Sequence, residues 1–158
     1  MRIYLSGAIE YAPDQGRTWR AEITPFLQSL GHEVYDPALD ERKNLTEEET
    51  SLFRSWKTSD LPRFQATVRK IIEYDLDWIQ HRSDCVVCFW DQYAQRGAGT
   101  QGELTFAYRM NIPVHLIVQE PVTNVSGWIL GCATGVYRSL DELRQSSPLA
   151  SREAGIGV

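Results

Sequence analysis

The run DCVVCFW at residues 84–90, followed by GAGTQGE at residues 97–103, decides the fold of this 158-residue chain. The first stretch is short and continuously apolar, which is typical of a strand buried on both faces. The second is a glycine-rich loop that leads into the amphipathic pattern of a helix. A buried strand followed by a loop and a helix is the repeating unit of a parallel sheet.

The same alternation of strand and helix continues on both sides of this unit. The other predicted strands are Ile3–Leu5, Glu33–Tyr35, Pro113–Val118 and a short piece at Val136–Tyr137. The predicted helices run from Trp19 to Leu30, from Thr46 to Trp56, from Pro62 to about Arg82, from about Gly99 to Met110 and onward from Ser139. The expected fold class is α/β: a single domain with a flavodoxin/Rossmann-like parallel sheet of about five strands and helices on both faces. We assign this domain to residues 1–144 and expect the small, polar segment 145–158 to be a flexible tail.

Composition excludes several classes of function. The net charge of -5 disfavours binding of polymeric DNA or RNA, because such binding needs clustered lysines and arginines. No apolar stretch approaches the ~18 residues of a membrane span, and the first residues lack the pattern of a signal peptide, so we expect no secretion. We therefore expect a cytoplasmic protein without a membrane partner. Cys85 and Cys88 lie inside the apolar run, which favours buried core cysteines over a redox pair.

The carboxyl ends of the strands are the expected ligand-binding edge of such a sheet. This rule nominates Ser6 and Gly7 after the first strand and Asp36 after the second. It also nominates residues 91–99 after the third strand and the segment after Val118.

Asp75 falls on the apolar face of its predicted helix, whereas Asp77 points the other way. The apolar stripe at helical spacing consists of Val68, Ile71, Ile72, Leu76 and Ile79. A buried carboxylate costs free energy unless it is paired or has a task. Two interpretations stay open: a structural Asp that accepts backbone hydrogen bonds, and a functional one.

Glu103 shows the same anomaly, since Phe106, Ala107 and Met110 share its face of the helix. We expect Glu103 in the first turn, where the helix dipole favours an anion and lowers the pKa of a carboxyl group. An ionised carboxylate that faces a cleft is a suitable nucleophile. The competing interpretation is a capping box formed by Thr100 and Glu103, which is equally good on local grounds.

Residues 97–103 also match the G-x-G-x-x-G dinucleotide fingerprint, with Glu120 near the position of a ribose-binding acid. That fingerprint requires the first glycine almost directly after the strand, but residues 91–96 intervene, so we expect no cofactor. The three histidines lack metal-ligand spacing, and we expect no metal either. A glycine-rich loop that opens a helix still suits a sugar hydroxyl or a phosphate, because its backbone N–H groups face the ligand.

With these residues assembled, the chain resembles the nucleoside 2-deoxyribosyltransferase family from Ile3 to about Trp128. The resemblance rests on the order and spacing of three segments, which are Ile3–Ala8, Asp75–Leu76 followed by Ile79 and Asp84, and Gly99–Glu103 followed by Ala107. In that family the Glu of the last segment attacks the anomeric carbon of the sugar, which releases the base and leaves a covalent glycosyl enzyme. A second base, or water, then takes the sugar from the same face.

Carried over residue by residue, the resemblance implies that Glu103 is the nucleophile, that Asp75 assists proton transfer to the departing base and that Tyr4 positions the nucleophile. The apolar surroundings of Asp75 would raise its pKa, as a general acid requires. Asn124 resembles an Asn that reaches a neighbouring subunit's sugar site, so we expect a homo-oligomer, a dimer or higher. The expected partners are a small-molecule nucleoside or nucleotide and a nucleobase. The expected substrate-binding residues are Ser6, Gly7, Ala8, Asp36, Asp91, Gly97, Gly99, Thr100 and Asn124.

One departure from the family bears on the substrate. Many of these transferases carry an Asp six residues before the nucleophile, where it binds the sugar 5′-hydroxyl, and this chain has Gly97 there. The leading expectation is transfer of the sugar to another base. One alternative is a hydrolase of (deoxy)nucleoside 5′-monophosphates, which leaves room for a phosphate at that position. The second is a non-catalytic nucleotide-binding or sensing module. The segment from Gly97 to Glu103 also resembles that of cytokinin-activating phosphoribohydrolases, which cleave the same kind of bond.

Overall fold

The computed structural model describes residues 1–146 and residue 149 of the chain. Its centre is a five-stranded sheet with the strand order β2-β1-β3-β4-β5, in which every adjacent pair of strands is parallel. The strands are β1 (Arg2–Gly7), β2 (Glu33–Tyr35), β3 (Cys85–Trp90), β4 (Val114–Val118) and β5 (Gly135–Tyr137). This order is the flavodoxin-like one, so the predicted fold class is confirmed.

Helices connect these strands. They are α1 (Arg17–Ser29), α2 (Glu47–Ser59), α3 (Leu61–Asp77), α4 (Gln92–Arg96), α5 (Ala98–Arg109), α6 (Gly127–Cys132) and α7 (Leu140–Ser146). A π-helical turn, Trp78–Arg82, continues α3, and a 3-10 turn, Val122–Asn124, precedes α6. The predicted start of α2 is confirmed, because the backbone N–H of Glu49 donates to the Thr46 hydroxyl and the backbone N–H of Thr46 donates to the Glu49 carboxylate.

Each face of the sheet has its own hydrophobic core. Ile3 and Leu5 point to the face covered by α1 and α7, where they pack with Ile23 of α1 and Leu143 of α7. Tyr4, between them on the strand, points to the opposite face, which is covered by α5, α6 and the π-helical turn. The alternation of side chains along β1 therefore sends Tyr4 and Ser6 to the α5 face, and this face holds the site described below.

Two local predictions were wrong. Ile72, placed on the inner stripe of α3, is 47% exposed, because α3 packs mainly through its C-terminal part and through α2. Residues 91–98, which follow the third predicted strand and were expected to form a loop without a helix, contain the short helix α4. It forms there because the Asp91 carboxylate accepts the backbone N–H groups of Tyr93 and Ala94 and so caps the first turn.

The ends and the thiols of the chain complete this description. Gln145 and Ser146 finish α7, Leu149 is buried in the α1 face core, and the rest of the predicted tail lies outside the described residues. Cys85 and Cys88 of β3 are buried free thiols, as predicted for core cysteines, and burial raises the pKa of Cys85 to about 12. Among the described residues, no helix has the length and hydropathy that a membrane crossing requires.

Candidate active site

Glu103 lies on α5, where this helix crosses the carboxyl half of β1. The Tyr4 hydroxyl donates to Glu103 Oε1 at 2.8 Å, and the Ser6 hydroxyl donates to Glu103 Oε2 at 2.5 Å. Strand order reverses between β1 and β3, so the carboxylate lies beside the switch point at which flavodoxin-like sheets bind their ligands. Both oxygens of the predicted nucleophile are therefore held in place by hydroxyl groups of the strand beneath it.

The alternative role of Glu103 as a helix cap is wrong. Helix α5 begins at Ala98 with Gly97 as its N-cap, and it has no side-chain cap. Thr100 is a buried residue within the helix, and Glu103 belongs to the second turn rather than the first. The side chain of Glu103 points to β1, so it cannot close the reciprocal bond of a capping box.

The predicted direction of the Glu103 pKa shift is also wrong. Burial and the nearby charge of Asp75 raise the pKa of the Glu103 carboxyl group, while the hydrogen bonds from Ser6 and Tyr4 and the charge of Lys43 oppose this rise. The helix dipole acts mainly within the first turn, and Glu103 lies beyond it. The site as a whole therefore disfavours ionisation of Glu103, and the hydrogen-bond donors around the carboxylate make this effect smaller.

Asp75 is buried on α3, as predicted, and it is part of an ion pair that the sequence did not reveal. The ammonium group of Lys43 lies 2.8 Å from Asp75 Oδ1 and 2.8 Å from Asp75 Oδ2. Both side chains are nearly inaccessible to solvent, at 9% for Lys43 and 12% for Asp75. Burial raises the pKa of Asp75, and Lys43 counteracts this rise. The structural interpretation of Asp75 with backbone partners is therefore wrong, since its partner is a side-chain cation.

Lys43 lies in the polar connection between β2 and α2, and hydrogen bonds hold this connection beside the site. Asp40 of this connection accepts hydrogen bonds from the hydroxyl groups of Tyr35, at 3.1 Å, and Tyr74, at 3.0 Å. The Tyr35 ring stacks on Trp78 of the π-helical turn with their centroids 3.9 Å apart, and it also contacts the Tyr4 ring at 5.5 Å. A continuous set of rings and hydrogen bonds thus connects the Asp75 side of the site to the Glu103 side.

The loop after β1 is held by a buried arginine. Arg20 of α1 is fully buried, and its guanidinium group donates to the carbonyls of Leu5, Gly7, Ala8 and Gly16. Asp36, a predicted substrate-binding residue, lies 3.4 Å from Arg20 Nε and also accepts the backbone N–H of Ala38. Gly7 is fixed by packing, because a Cβ atom there would lie 3.0 Å from the Trp19 ring. These residues shape the end of β1.

The chain resembles solved structures of enzymes that act on nucleosides and nucleotides. One is a 2-deoxyribosyltransferase from Bacillus psychrosaccharolyticus, with a TM-score of 0.57 and 20% identity, covering 91% of this chain and 90% of that one. Another is a CMP N-glycosidase from Clostridium botulinum, with a TM-score of 0.54 and 16% identity, covering 92% of this chain and 96% of that one. The chain has the fold of a 2-deoxyribosyltransferase. No protein-family model matches the sequence, and comparison with curated proteins gives no match.

Within this fold, the other predicted substrate-binding residues are spread along the carboxyl edge of the sheet. Asp91 caps α4, Gly97 joins α4 to α5, and Gly99 faces open space in the first turn of α5. Asn124 is exposed on the 3-10 turn after β4, and its side chain makes no hydrogen bond to the described residues. The fold brings Tyr4, Ser6, Asp75 and Glu103 together and leaves Asn124 at the surface.

The glycine-rich segment does not have the geometry of a dinucleotide fingerprint. Residues 98–103 are already part of α5, whereas the fingerprint needs its glycines in the turn that connects a strand to the helix. In residues 1–146 and 149, no group of three or more His, Cys, Asp or Glu side chains is arranged to hold a metal ion.

A separate cleft of about 370 Å³ opens on the α1 side of the same edge. Its lining includes Ala8 and Asp91, both predicted to bind substrate, as well as Trp19, Phe89 and Asp141. Glu103 and Asp75 are not part of its wall. We place the candidate site at Glu103 rather than in this cleft, because the hydrogen-bonded cluster of Glu103 with Tyr4 and Ser6, and the nearby Lys43–Asp75 pair, lie outside the cleft.

Proposed function

We propose that this protein cleaves the N-glycosidic bond of a nucleoside or nucleotide, with Glu103 as the nucleophile. The observation that carries the proposal is the double hydrogen bond from Tyr4 and Ser6 to a largely buried carboxylate, with a second carboxylate, Asp75, close by. Preorganised donors that fix a nucleophile and a second titratable group near the same point are the ingredients of acid-assisted displacement.

The reaction begins with attack of a Glu103 oxygen on the anomeric carbon of the sugar. The C–N bond to the base breaks, its electron pair stays on the base nitrogen, and a proton from solvent, relayed by the Asp75 carboxylate, neutralises that nitrogen. In the second step an acceptor base, or water, attacks the same carbon and releases the Glu103 carboxylate. The proton that the acceptor loses leaves to solvent by way of Asp75, so the carboxylates of Glu103 and Asp75 are restored.

Removal of the nucleophilic carboxylate tests this function. Glu103→Gln keeps the size of the side chain and removes its charge, so we expect base release to fall at least about 10³-fold. The assay is release of free base from a panel of nucleosides and their 5′-monophosphates. Glu73→Gln is the matched control, because Glu73 is exposed on α3 and should retain full activity. Full activity of the Glu103 variant would refute the nucleophile assignment.

Transfer to another base is our leading proposal for the second step, and we propose Gly97, Gly99 and Thr100 near the 5′ end of the sugar. Hydrolysis of 5′-monophosphates is the second candidate. It is supported by Gly97, which leaves the family's Asp position without a side chain, and by Arg96, whose guanidinium group lies 4.3 Å from the Tyr11 ring beside it. Incubation of a deoxynucleoside with and without an acceptor base, and of the matching 5′-monophosphate, separates the two. A new nucleoside indicates the transferase, and free base from the monophosphate alone indicates the hydrolase.

A non-catalytic binding module is the remaining alternative. It predicts tight nucleotide binding without release of base, and calorimetry alongside the base-release assay would reveal it. We further propose a cytoplasmic homo-oligomer in which the exposed Asn124 reaches the site of a neighbouring subunit. Sedimentation of the wild type, and a loss of activity in Asn124→Ala without a loss of stability, would support that arrangement.

A further inference from the structure

We propose that Lys43 is a positioning residue of this site, whose ammonium group holds Asp75 in its working orientation and balances the negative charge of Glu103. This inference rests on the function proposed above and concerns the charge of the same site. The sequence gives no sign of it, because Lys43 lies in a polar connection 32 residues from Asp75.

The contact geometry is that of a fixed pair. One ammonium group lies 2.8 Å from both oxygens of Asp75, so rotation of the carboxylate about its last bond would break a short hydrogen bond. Asp75 is the only side chain to which Lys43 Nζ donates within the described residues. The ammonium group of Lys43 thus binds a residue of the candidate site rather than backbone groups of the fold.

The backbone around Lys43 is shaped to send its side chain inward. Lys43 and Asn44 both have positive φ angles, 34° and 63°, a conformation that asparagine tolerates but that costs a lysine about 1–2 kcal/mol. The segment stays in place because Asp40, three residues earlier, accepts the Tyr35 and Tyr74 hydroxyls. Local strain retained by a surrounding clamp is characteristic of functional positions.

The charges facing this pair come from every element around it. The acidic or phenolic groups are Glu103 of α5, Asp75 and Tyr74 of α3, Asp40 of the connection, Tyr4 of β1 and Tyr35 of β2. The cations are Lys43 and Arg20, and the guanidinium group of Arg20 is bound to four backbone carbonyls and Asp36. Lys43 is therefore the cation available to the two carboxylates of the site.

Loss of Lys43 should leave the buried Asp75 and the partly buried Glu103 as neighbouring carboxylates without the charge of that ammonium group. Each then disfavours ionisation of the other, so the pKa of both carboxyl groups rises. Because Lys43 lowers the pKa of both groups, its removal raises the pH at which Glu103 becomes an ionised nucleophile. The catalytic consequence is a shift of the acidic limb of the pH profile to higher pH.

The test compares pH profiles of kcat/KM for Lys43→Met, Lys43→Arg and Lys57→Met. We expect the acidic limb of the Lys43→Met profile to shift to higher pH than in the wild type, so that the activity of this variant relative to the wild type falls as the pH is lowered. Lys43→Arg keeps the charge and should keep a near-normal profile. Lys57 is the matched control, because it is half exposed and its ion pair, at 3.0 Å, is with Glu10, so its variant should match the wild type.

A readout without substrate makes the test independent of turnover. With ¹³C-labelled glutamate, the side-chain resonance of Glu103 is assigned by its absence from Glu103→Gln. We expect this resonance to titrate at a higher pH in Lys43→Met than in the wild type, and at a lower pH again in the double variant Lys43→Met with Asp75→Asn. An unchanged titration of Glu103 in folded Lys43→Met would overturn the inference.

The outcomes separate this inference from the proposed function. If Glu103→Gln is inactive while Lys43→Met has the wild-type profile and titration, only the role of Lys43 fails. If Glu103→Gln stays active, the proposed function itself fails. If Lys43→Met does not fold, Lys43→Gln replaces it, and the same upward shift relative to Lys43→Arg is expected.

Discussion

Two buried ion pairs flank β1, and they differ in what their cations bind. Arg20 donates to four backbone carbonyls and lies 3.4 Å from Asp36, whereas the ammonium group of Lys43 donates only to the two oxygens of Asp75 among the described residues. Both cations are buried, so exposure does not distinguish them. Their partners do, because backbone carbonyls belong to the scaffold and the Asp75 carboxylate belongs to the candidate site.

This difference separates a structural pair from a functional one. Arg20 satisfies carbonyl groups that would otherwise be buried without donors, so its loss should be felt mainly in stability. Lys43 neutralises a carboxylate close to Glu103, so its loss should be felt mainly in the chemistry of the site. A buried charge is therefore interpreted best from the atoms it contacts, and variants of the two pairs can break or sharpen this distinction.

Removal of the Arg20 guanidinium group should have the largest effect on stability. Arg20→Met leaves several carbonyls and Asp36 without their donor, and we expect the free energy of unfolding to fall by about 3–5 kcal/mol. Urea denaturation followed by circular dichroism measures this change. Arg17→Met is the matched control on the same helix, because Arg17 is exposed and its pair with Glu41 is long, at 3.7 Å; a change below about 1 kcal/mol is expected there. Equal losses in both variants would contradict the structural role of Arg20.

Removal of the Tyr4 hydroxyl tests the functional side of the comparison. Tyr4→Phe keeps the ring contact with Tyr35 and removes the 2.8 Å hydrogen bond to Glu103. A hydrogen bond to a charged group contributes about 1.5–3 kcal/mol, so we expect kcat/KM to fall about 10- to 100-fold. Steady-state kinetics with the best substrate measures it. Tyr108→Phe, on the exposed side of α5, serves as the control and should behave as the wild type.

The pH dependence of stability tests whether the ionised carboxylate of Glu103 lowers the free energy of unfolding. The pKa of Glu103 is raised in the folded state, so the protonated form is stabilised by folding. This contribution is fully present below the pKa of the unfolded chain and is lost as the pH rises through the folded pKa. Glutamine does not ionise, so Glu103→Gln does not lose this stability as the pH rises. Its melting temperature should therefore exceed that of the wild type by a few degrees at pH 8 and by less at pH 4. A variant whose advantage grows toward acidic pH would contradict this sign.

The smallest effect on stability is expected at Gly99, a position that belongs to neither of the two ion pairs. A Cβ atom at Gly99 meets no atom within 4 Å, and alanine favours a helix over glycine by about 0.5–1 kcal/mol. We expect Gly99→Ala to stabilise the protein by about that amount and to raise KM if the sugar packs against this turn. Thermal unfolding and kinetics measure the two effects. Stabilisation with an unchanged KM would remove Gly99 from the substrate site.

Much of the fold could be predicted from the sequence because its signals are local. The apolar run that ends at Trp90 and the amphipathic stripe before Gly31 specify a buried strand and a helix by spacing alone. The capping box at Thr46 likewise contains its own start signal. The short helix α4 is not predicted from the sequence. Its start depends on the orientation of the Asp91 side chain, which accepts two backbone N–H groups of the first turn.

The candidate site was predictable only in part, because ion pairs depend on tertiary contacts. Asp75 and Glu103 could be recognised from the sequence as carboxylates on the apolar faces of helices. In the structure Asp75 is buried and Glu103 points to β1, in agreement with that prediction. The Ser6 hydroxyl was expected to contact substrate and instead bonds to Glu103. Lys43 and Arg20 had no detectable signal, since each meets its partner only after the sheet has formed. The positive φ angle of Lys43 is a structural signal that its residue type does not indicate, whereas that of Asn44 is typical of asparagine.

Mass spectrometry of a trapped sugar adduct tests the central claim most directly. The protein is incubated with 2′-fluoro-arabinosyl nucleosides and their 5′-monophosphates, in which the fluorine slows both formation and breakdown of a glycosyl enzyme, and is then digested. We predict that the fluorinated sugar is attached to the peptide that contains Glu103 and that the adduct is absent from Glu103→Gln. Release of base with no adduct on Glu103, or an adduct on another residue, would contradict the account.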